Sequence, residues 1–226
     1  MRFVWRLEKI MQNKIVIFDW GGVILHTYPD SNSDRDAIVR TIQHFQSSFS
    51  SEEAWNLYRD TLRDENNVII SVQNDEESKK KWVQRICNAG NFHTSMDEFS
   101  NVFSAEYLKT DYYQDVVHYI YSLKDKCKIG LFSDLIYACY PALAKQLDLS
   151  SFDYVWLSYM THSHKSSEDA FSLVEQDLQL NPKDIMFIDD TSINIENAAK
   201  RGWNTCQAKG YELDKIQKSI SEFLGL

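Results

Sequence analysis

Two short apolar runs in this chain end in acid. Ile15, Val16, Ile17 and Phe18 lead to Asp19, with Trp20, Gly21, Gly22 and Val23 behind it. Ile185, Met186, Phe187 and Ile188 lead to Asp189 and Asp190. A buried strand that ends in a carboxylate presents a nucleophile or a metal ligand at the rim of a sheet, and glycines beside it leave backbone amides open to an anion. One such end is ordinary, because Asp favours turns and helix N-caps. Two of them, far apart in the chain, predict a single site that holds a divalent cation and an anionic substrate.

The elements that must position these acids follow from periodicity. Strands are predicted at Lys14–Phe18, Lys128–Phe132, Tyr154–Ser158, Ile185–Ile188 and Trp203–Ala208, each a short apolar run bounded by turn residues. Helices are predicted between them at Asp115–Lys124, Tyr140–Leu147, Glu168–Leu178, Ile193–Arg201 and Leu213–Phe223; Phe171, Val174 and Leu178, three and four apart, set the pattern. The alternation implies an α/β, Rossmann-like parallel sheet with helices on both faces, with ligands bound beyond the carboxyl ends of the strands. Asp19, Ser133 and Asp189 are expected there. From about Tyr28 to Tyr112 the texture changes. Helices are expected at Asp34–Phe49, Glu52–Arg63, Glu76–Asn88 and Met96–Lys109, with Val68–Val72 the one strand-like stretch. The expected division is a core of residues 1–27 and 113–226 with an inserted all-helical cap at 28–112.

Composition narrows the partners. The chain has 226 residues, 43% hydrophobic and 25% charged, with a net charge of −9, an ordinary globular balance. The negative charge argues against nucleic acid and anionic membranes, so an anionic substrate has to be drawn by local cations. The cysteines, Cys87, Cys127, Cys139 and Cys206, form no CxxC pair and read as reduced, buried thiols of a cytoplasmic protein. No apolar segment approaches the ~20 residues of a membrane span, and the first residues lack a signal-peptide pattern. The first ten residues are expected to be an upstream start or a disordered tail. The oligomeric state is left open between monomer and homodimer.

At this point the residues resemble a known family. Phe18-Asp19-Trp20-Gly21-Gly22-Val23, then Leu131-Phe132-Ser133-Asp134, then Lys165 before Phe171, then Phe187-Ile188-Asp189-Asp190 with Asn194 are similar, in order, to the four motifs of the haloacid dehalogenase (HAD) superfamily with a helical cap after the first motif. Within it the first motif resembles the sugar-phosphatase-like branch. The resemblance implies a Mg²⁺-dependent phosphatase acting on a small phosphorylated metabolite through an aspartyl-phosphate. It implies Asp19 as nucleophile, with Lys165 balancing charge on nucleophile and phosphate. Trp20, Gly21, Ser133, Asp134 and Lys165 are the implied phosphate-binding set. Asp19, the backbone carbonyl of Gly21, and Asp190 are the implied metal ligands, with Asp189 an outer-shell acid. Phosphoryl transfer needs these types: an in-line nucleophile, charge neutralisation and rigid positioning.

One position departs from the family. Its phosphatases carry a second aspartate two residues after the nucleophile, as general acid and base; here Gly21 stands there, and glycine cannot shuttle a proton. Three alternatives follow. A cap residue or bound water supplies the proton, or the leaving group needs little help. The chain cleaves a C–P bond, as the resemblance of Asp19-Trp20-Gly21-Gly22 to phosphonoacetaldehyde hydrolases suggests, with a lysine of the Lys79-Lys80-Lys81 run as Schiff base. Or it is a catalytically impaired binding module. C–halogen chemistry is a further option, less suited to the paired Asp189 and Asp190. His26, His162 and His164 lie near motifs and are candidate replacement acids, although a lone histidine is more often a packing or surface residue.

Overall fold

The computed structural model describes residues 13–64, 66–70 and 76–226. Five strands, β1 (Ile15–Phe18), β2 (Lys128–Ser133), β3 (Tyr154–Leu157), β4 (Ile185–Asp189) and β5 (Asn204–Gln207), form one sheet in the order β3-β2-β1-β4-β5, and every pairing is parallel. The central strands are buried along their length, which is why they read as continuous apolar runs.

Alternate residues of each strand feed two cores. Ile15, Ile17, Phe132 and Phe187 face one side, where they meet Phe171 and Val174 of α8 (Glu168–Leu178) and Ala198 of α9 (Ser192–Lys200). Val16, Phe18, Leu131 and Ile188 face the other, against Val116 and Ile120 of α5 (Gln114–Ser122), Leu143 of α6 (Tyr140–Gln146) and Ile216 and Ile220 of α10 (Leu213–Leu224). A single turn of helix, α7 (Ser158–Thr161), follows β3.

Among the described residues, four helices lie between β1 and α5: α1 (Asp34–Phe45), α2 (Ser51–Thr61), α3 (Glu76–Gly90) and α4 (Met96–Tyr107). Ser33 and Ser50 start α1 and α2 as capping boxes with Asp36 and Glu53. The bundle closes on rings: Trp82 lies edge-on to Phe103 at 5.1 Å, and Phe45 stacks on Phe99 at 5.4 Å. The two chain crossings that join bundle and sheet are laced together, with the His26 N–H donating to the Asp111 carbonyl and the Tyr113 N–H to that of Ile24, each at 2.9 Å.

Element boundaries depart from the periodicity in small ways. α1 stops at Phe45 rather than Phe49, where Gln46 turns extended and its N–H closes on the Ile42 carbonyl. In Val68–Val72, Ile69 makes an isolated antiparallel bridge to Arg63 and no longer strand; Ser71 and Val72 lie outside the described residues, as do the first ten residues. The four cysteines are free and buried. No helix among the described residues is long and apolar enough to cross a membrane.

Candidate active site

β1 is the middle strand, and register decides what surrounds its tip. Phe18 pairs with Leu131 of β2 on one side and Ile188 of β4 on the other. The next residues, Asp19 and Asp189, therefore emerge side by side, and the Asp19 N–H is held by the Ile188 carbonyl at 2.9 Å. Ser133, the last residue of β2, is buried, and its hydroxyl bonds the Asp19 carboxylate.

Lys165 lies in the turn between α7 and α8 and is 1% exposed. Its Nζ stands 2.8 Å from Asp19 Oδ2 and 2.7 Å from Asp189 Oδ2. The Phe132 and Phe187 rings flank it at 5.7 and 5.6 Å. Burial opposes the ammonium charge, but Asp19, Asp189 and Asp134 outweigh it and raise the lysine above its ordinary range. Lys165 is thus a fixed cation.

Asp19 has both oxygens placed. Oδ1 accepts the Trp20 N–H at 2.7 Å, while Oδ2 faces Lys165. Burial pushes its carboxyl up to about 7, against the pull of Lys165 and with a further push from Asp189. Burial and Asp189 also raise Asp190.

Asp189 is saturated. It accepts from Lys165 Nζ, from the Thr191 N–H at 2.8 Å, and from Asn194 Nδ2 at 3.0 and 3.3 Å. Asn194 sits inside α9, so it anchors Asp189 rather than capping the helix; Thr191 holds the N-cap position. Asp190 accepts one side-chain hydrogen bond, from the Thr191 hydroxyl at 3.2 Å.

The donor chemistry of this cluster fits a hard divalent cation. One carboxylate oxygen from each of Asp19, Asp189 and Asp190 lies within 4.8 Å of the others. Asp19 and Asp189 share one lysine and Asp190 adjoins them, a grouping of carboxylate oxygens that a dication with oxygen ligands would neutralise. The backbone also makes room for it. Gly22 has φ +73°, and a Cβ there would sit 2.3 Å from Asp190 Oδ2. Gly22 is therefore required twice, by its left-handed backbone and by the approach of Asp190.

The remaining motif residues fall nearby. Asp134 accepts the Lys165 N–H at 3.0 Å and pairs with His164 Nε2 at 3.1 Å, so its carboxylate braces the lysine loop. Trp20 is buried, its indole N–H donating to Gln146 Oε1 at 3.2 Å. It also helps to line a cavity of about 210 Å³ between sheet and bundle, with Gly21, Asp34, Tyr58, Tyr107, Asp134 and His164. Trp20 is thus both buried beside Asp19 and part of the wall.

Other candidates lie elsewhere. His26 packs on Tyr113 at 4.2 Å, and neither it nor His162 lines this cavity. Lys79, Lys80 and Lys81 are on α3, away from the cavity, and Lys81 pairs with Glu77 at 3.0 Å on the surface. A Schiff-base role has no support from that placement. Periodicity did not single out Asp34, Tyr58, Tyr107 or Gln146. Their convergence depends on how the bundle crosses the sheet. The one local signal was the Ser33-Asp34-Arg35-Asp36 helix start, which reads as a cap.

A family model described as haloacid dehalogenase-like hydrolase matches residues 13–202. No curated protein sequence matches the chain. Among solved structures it resembles a HAD family enzyme of Bacteroides thetaiotaomicron in complex with magnesium and inorganic phosphate, with TM-score 0.67, 18% identity, and coverage of 87% of this chain and 94% of that one. A predicted HAD-like family hydrolase of Porphyromonas gingivalis is similar at TM-score 0.67 and 18% identity, over 93% of this chain and 98% of that one. The L-2-haloacid dehalogenase of Xanthobacter autotrophicus with chloropropionic acid covalently bound is similar at TM-score 0.60 and 15% identity, over 85% and 76%. At these identities the likeness is one of fold.

Proposed function

We propose that this chain, which belongs to the haloacid dehalogenase-like hydrolases, is a Mg²⁺-dependent phosphatase for a small phosphorylated metabolite, of the sugar-phosphatase kind that its first motif resembles. The observation that carries this reading is the acidic cluster of Asp19, Asp189 and Asp190, two of whose members share one buried lysine. Displacing a halide needs a nucleophilic carboxylate, whereas clustered acid suits a cation shared with a phosphate. The Bacteroides enzyme crystallised with magnesium and phosphate supports the same chemistry by analogy of fold.

Asp19, Asp190 and the Gly21 carbonyl would hold the cation, with Asp189 behind them. Bound Mg²⁺ would neutralise charge on the transferring phosphoryl group. Asp19 attacks phosphorus to form an aspartyl-phosphate that water hydrolyses. Its aim is set by the Trp20 N–H on one oxygen and Lys165 on the other. The Ser133 hydroxyl and the Lys165 ammonium donate to phosphate oxygens. Asp134 serves through its backbone N–H, since a carboxylate would repel phosphate and this one already braces Lys165. The cavity of about 210 Å³ limits the leaving group to a small one.

The test is phosphate release from a panel of sugar phosphates, nucleotides and aryl phosphates, with Mg²⁺ or with EDTA, beside phosphate release from phosphonoacetaldehyde and chloride release from 2-chloropropionate. Mg²⁺-dependent hydrolysis of phosphate esters alone is the expected result. Turnover confined to either control substrate would overturn the reading.

A further inference from the structure

We propose that Asp34, in the first turn of the cap's first helix, donates the proton to the leaving oxygen that Gly21 cannot supply. The inference rests on the phosphatase reading above and names the missing acid of that site.

Position 21 is open rather than filled. Gly21 lacks the left-handed backbone of Gly22, and a Cβ built on it would meet only Thr27 Cγ2, at 3.8 Å. A Cβ therefore fits at this position, and Gly21 borders the cavity of about 210 Å³. Three groups on the wall of that cavity are of the types that serve as general acids: Asp34, Asp134 and His164.

Two of them are committed. Asp134 accepts from the Lys165 N–H and faces His164. His164 has both ring nitrogens engaged, Nε2 by Asp134 at 3.1 Å and Nδ1 by the Ser166 hydroxyl at 3.1 Å and N–H at 3.2 Å. Asp34 pairs with no cation among the described residues. Its carboxylate accepts only from backbone, the Arg35 N–H at 2.7 Å and that of Tyr28.

The backbone of Asp34 is tied to the nucleophile's side of the site. Its N–H donates to the His26 carbonyl at 3.1 Å, in the loop that follows β1. The groups around its carboxyl come from every neighbouring element: Asp36 on its own helix, Asp190 past β4, Tyr58 on α2, Tyr107 on α4 and Cys139 after β2. Burial pushes Asp34 up to about 6 against the two backbone N–H groups, and Asp36 and Asp190 add to the rise. The Tyr58 hydroxyl makes no hydrogen bond among the described residues and is available to a leaving-group hydroxyl.

The step balances. Asp19 forms the O–P bond, the ester P–O bond breaks, and its electron pair goes to the leaving oxygen, which takes the proton from Asp34 and departs as an alcohol. Asp34, now a carboxylate, takes a proton from the water that attacks the aspartyl-phosphate. The Asp19–P bond breaks, phosphate leaves, and both carboxyl groups return to their starting states.

The experiment measures kcat/KM at saturating Mg²⁺ for a series of monoesters running from activated aryl to primary alkyl phosphates. It compares wild type, Asp34→Asn, and Asp34→Asn combined with Gly21→Asp. Asp34→Asn is expected to lose ~10²–10⁴-fold on alkyl esters and far less on activated aryl esters, so its dependence on leaving-group pKa steepens. Adding Gly21→Asp is expected to restore part of the alkyl rate. Equal losses across the series, or none, would overturn the assignment of Asp34 while leaving the phosphatase reading intact. No turnover of any ester by the wild type would overturn both. Circular dichroism checks the fold, and Asp34→Ser, which also suits a helix start, replaces the Asn variant if that one does not fold, with the same expectation.

Discussion

The Asn194 side-chain amide reaches both carboxylate oxygens of Asp189, at 3.3 and 3.0 Å. With Lys165 and the Thr191 N–H on the same carboxylate, Asp189 has little left to offer a cation, whereas among the described residues the Asp190 carboxylate accepts one side-chain hydrogen bond, from the Thr191 hydroxyl. The two neighbours should separate in a calorimetric Mg²⁺ titration. Asp190→Asn should abolish measurable binding. Asp189→Asn should weaken it by roughly 10–100-fold, as loss of an orienting partner does. Equal effects would show that the two acids share the ligand role.

The glycines at 21 and 22 predict opposite outcomes. Gly22→Ala forces a Cβ to within 2.3 Å of Asp190 at a left-handed φ of +73°, which should cost about 1–3 kcal/mol in strain and weaken Mg²⁺ binding. Gly21→Ala meets nothing closer than 3.8 Å and should leave stability nearly unchanged. Urea denaturation of the two variants, with and without Mg²⁺, checks the contrast.

Lys165→Met should be among the most damaging substitutions in the chain. It leaves Asp19 and Asp189 adjoining and buried without their shared cation, a loss of about 3–5 kcal/mol for a broken buried pair. Activity should vanish with it. Part of the stability should return in acid, where Asp19 holds a proton, and melting curves at pH 5 and pH 8 measure that recovery.

Without a bound cation the site should make the protein less stable as pH rises. The folded chain holds a proton on Asp19 up to about 7 and on Asp34 up to about 6, whereas an unfolded carboxylate releases it at 3.8. Between those values the folded state carries the extra protons, so stability is greatest toward the acid end of the window and falls as pH rises through it. Asp190 is shifted the same way. Melting temperatures in EDTA should drop from pH 5 to pH 8, and Asp19→Asn should flatten the slope. Mg²⁺ should raise the melting temperature more at pH 8 than at pH 5.

The core was readable because its signal is local. An apolar run that ends in acid has the same form at Asp19 and at Asp189, and parallel pairing buries both faces of β1 and β4, so no polar residue interrupts them. Lys165 was found by motif order alone. Its surroundings in sequence are polar, and its burial comes from two strands that lie far away in the chain. The cavity between sheet and bundle was not readable. Asp34 looked like a helix start, and Tyr58 and Tyr107 carry no local signal that sets them apart within α2 and α4. The contact between Trp20 and Gln146 joins residues 126 positions apart with no shared pattern.

The place of β1 in the sheet has a consequence for how the chain is made. It is synthesised first among the strands yet lies between β2 and β4. A nascent chain therefore carries Ile15, Val16, Ile17 and Phe18 with both edges bare while the cap helices, rich in local contacts, are already able to fold. One edge closes when β2 emerges. The other waits for Ile185–Asp189, the strand that brings Asp189 and, just past its end, Asp190. A chain cut short before that strand keeps an exposed apolar edge. The segment that completes the acidic cluster is also the one that ends the hazard of self-association.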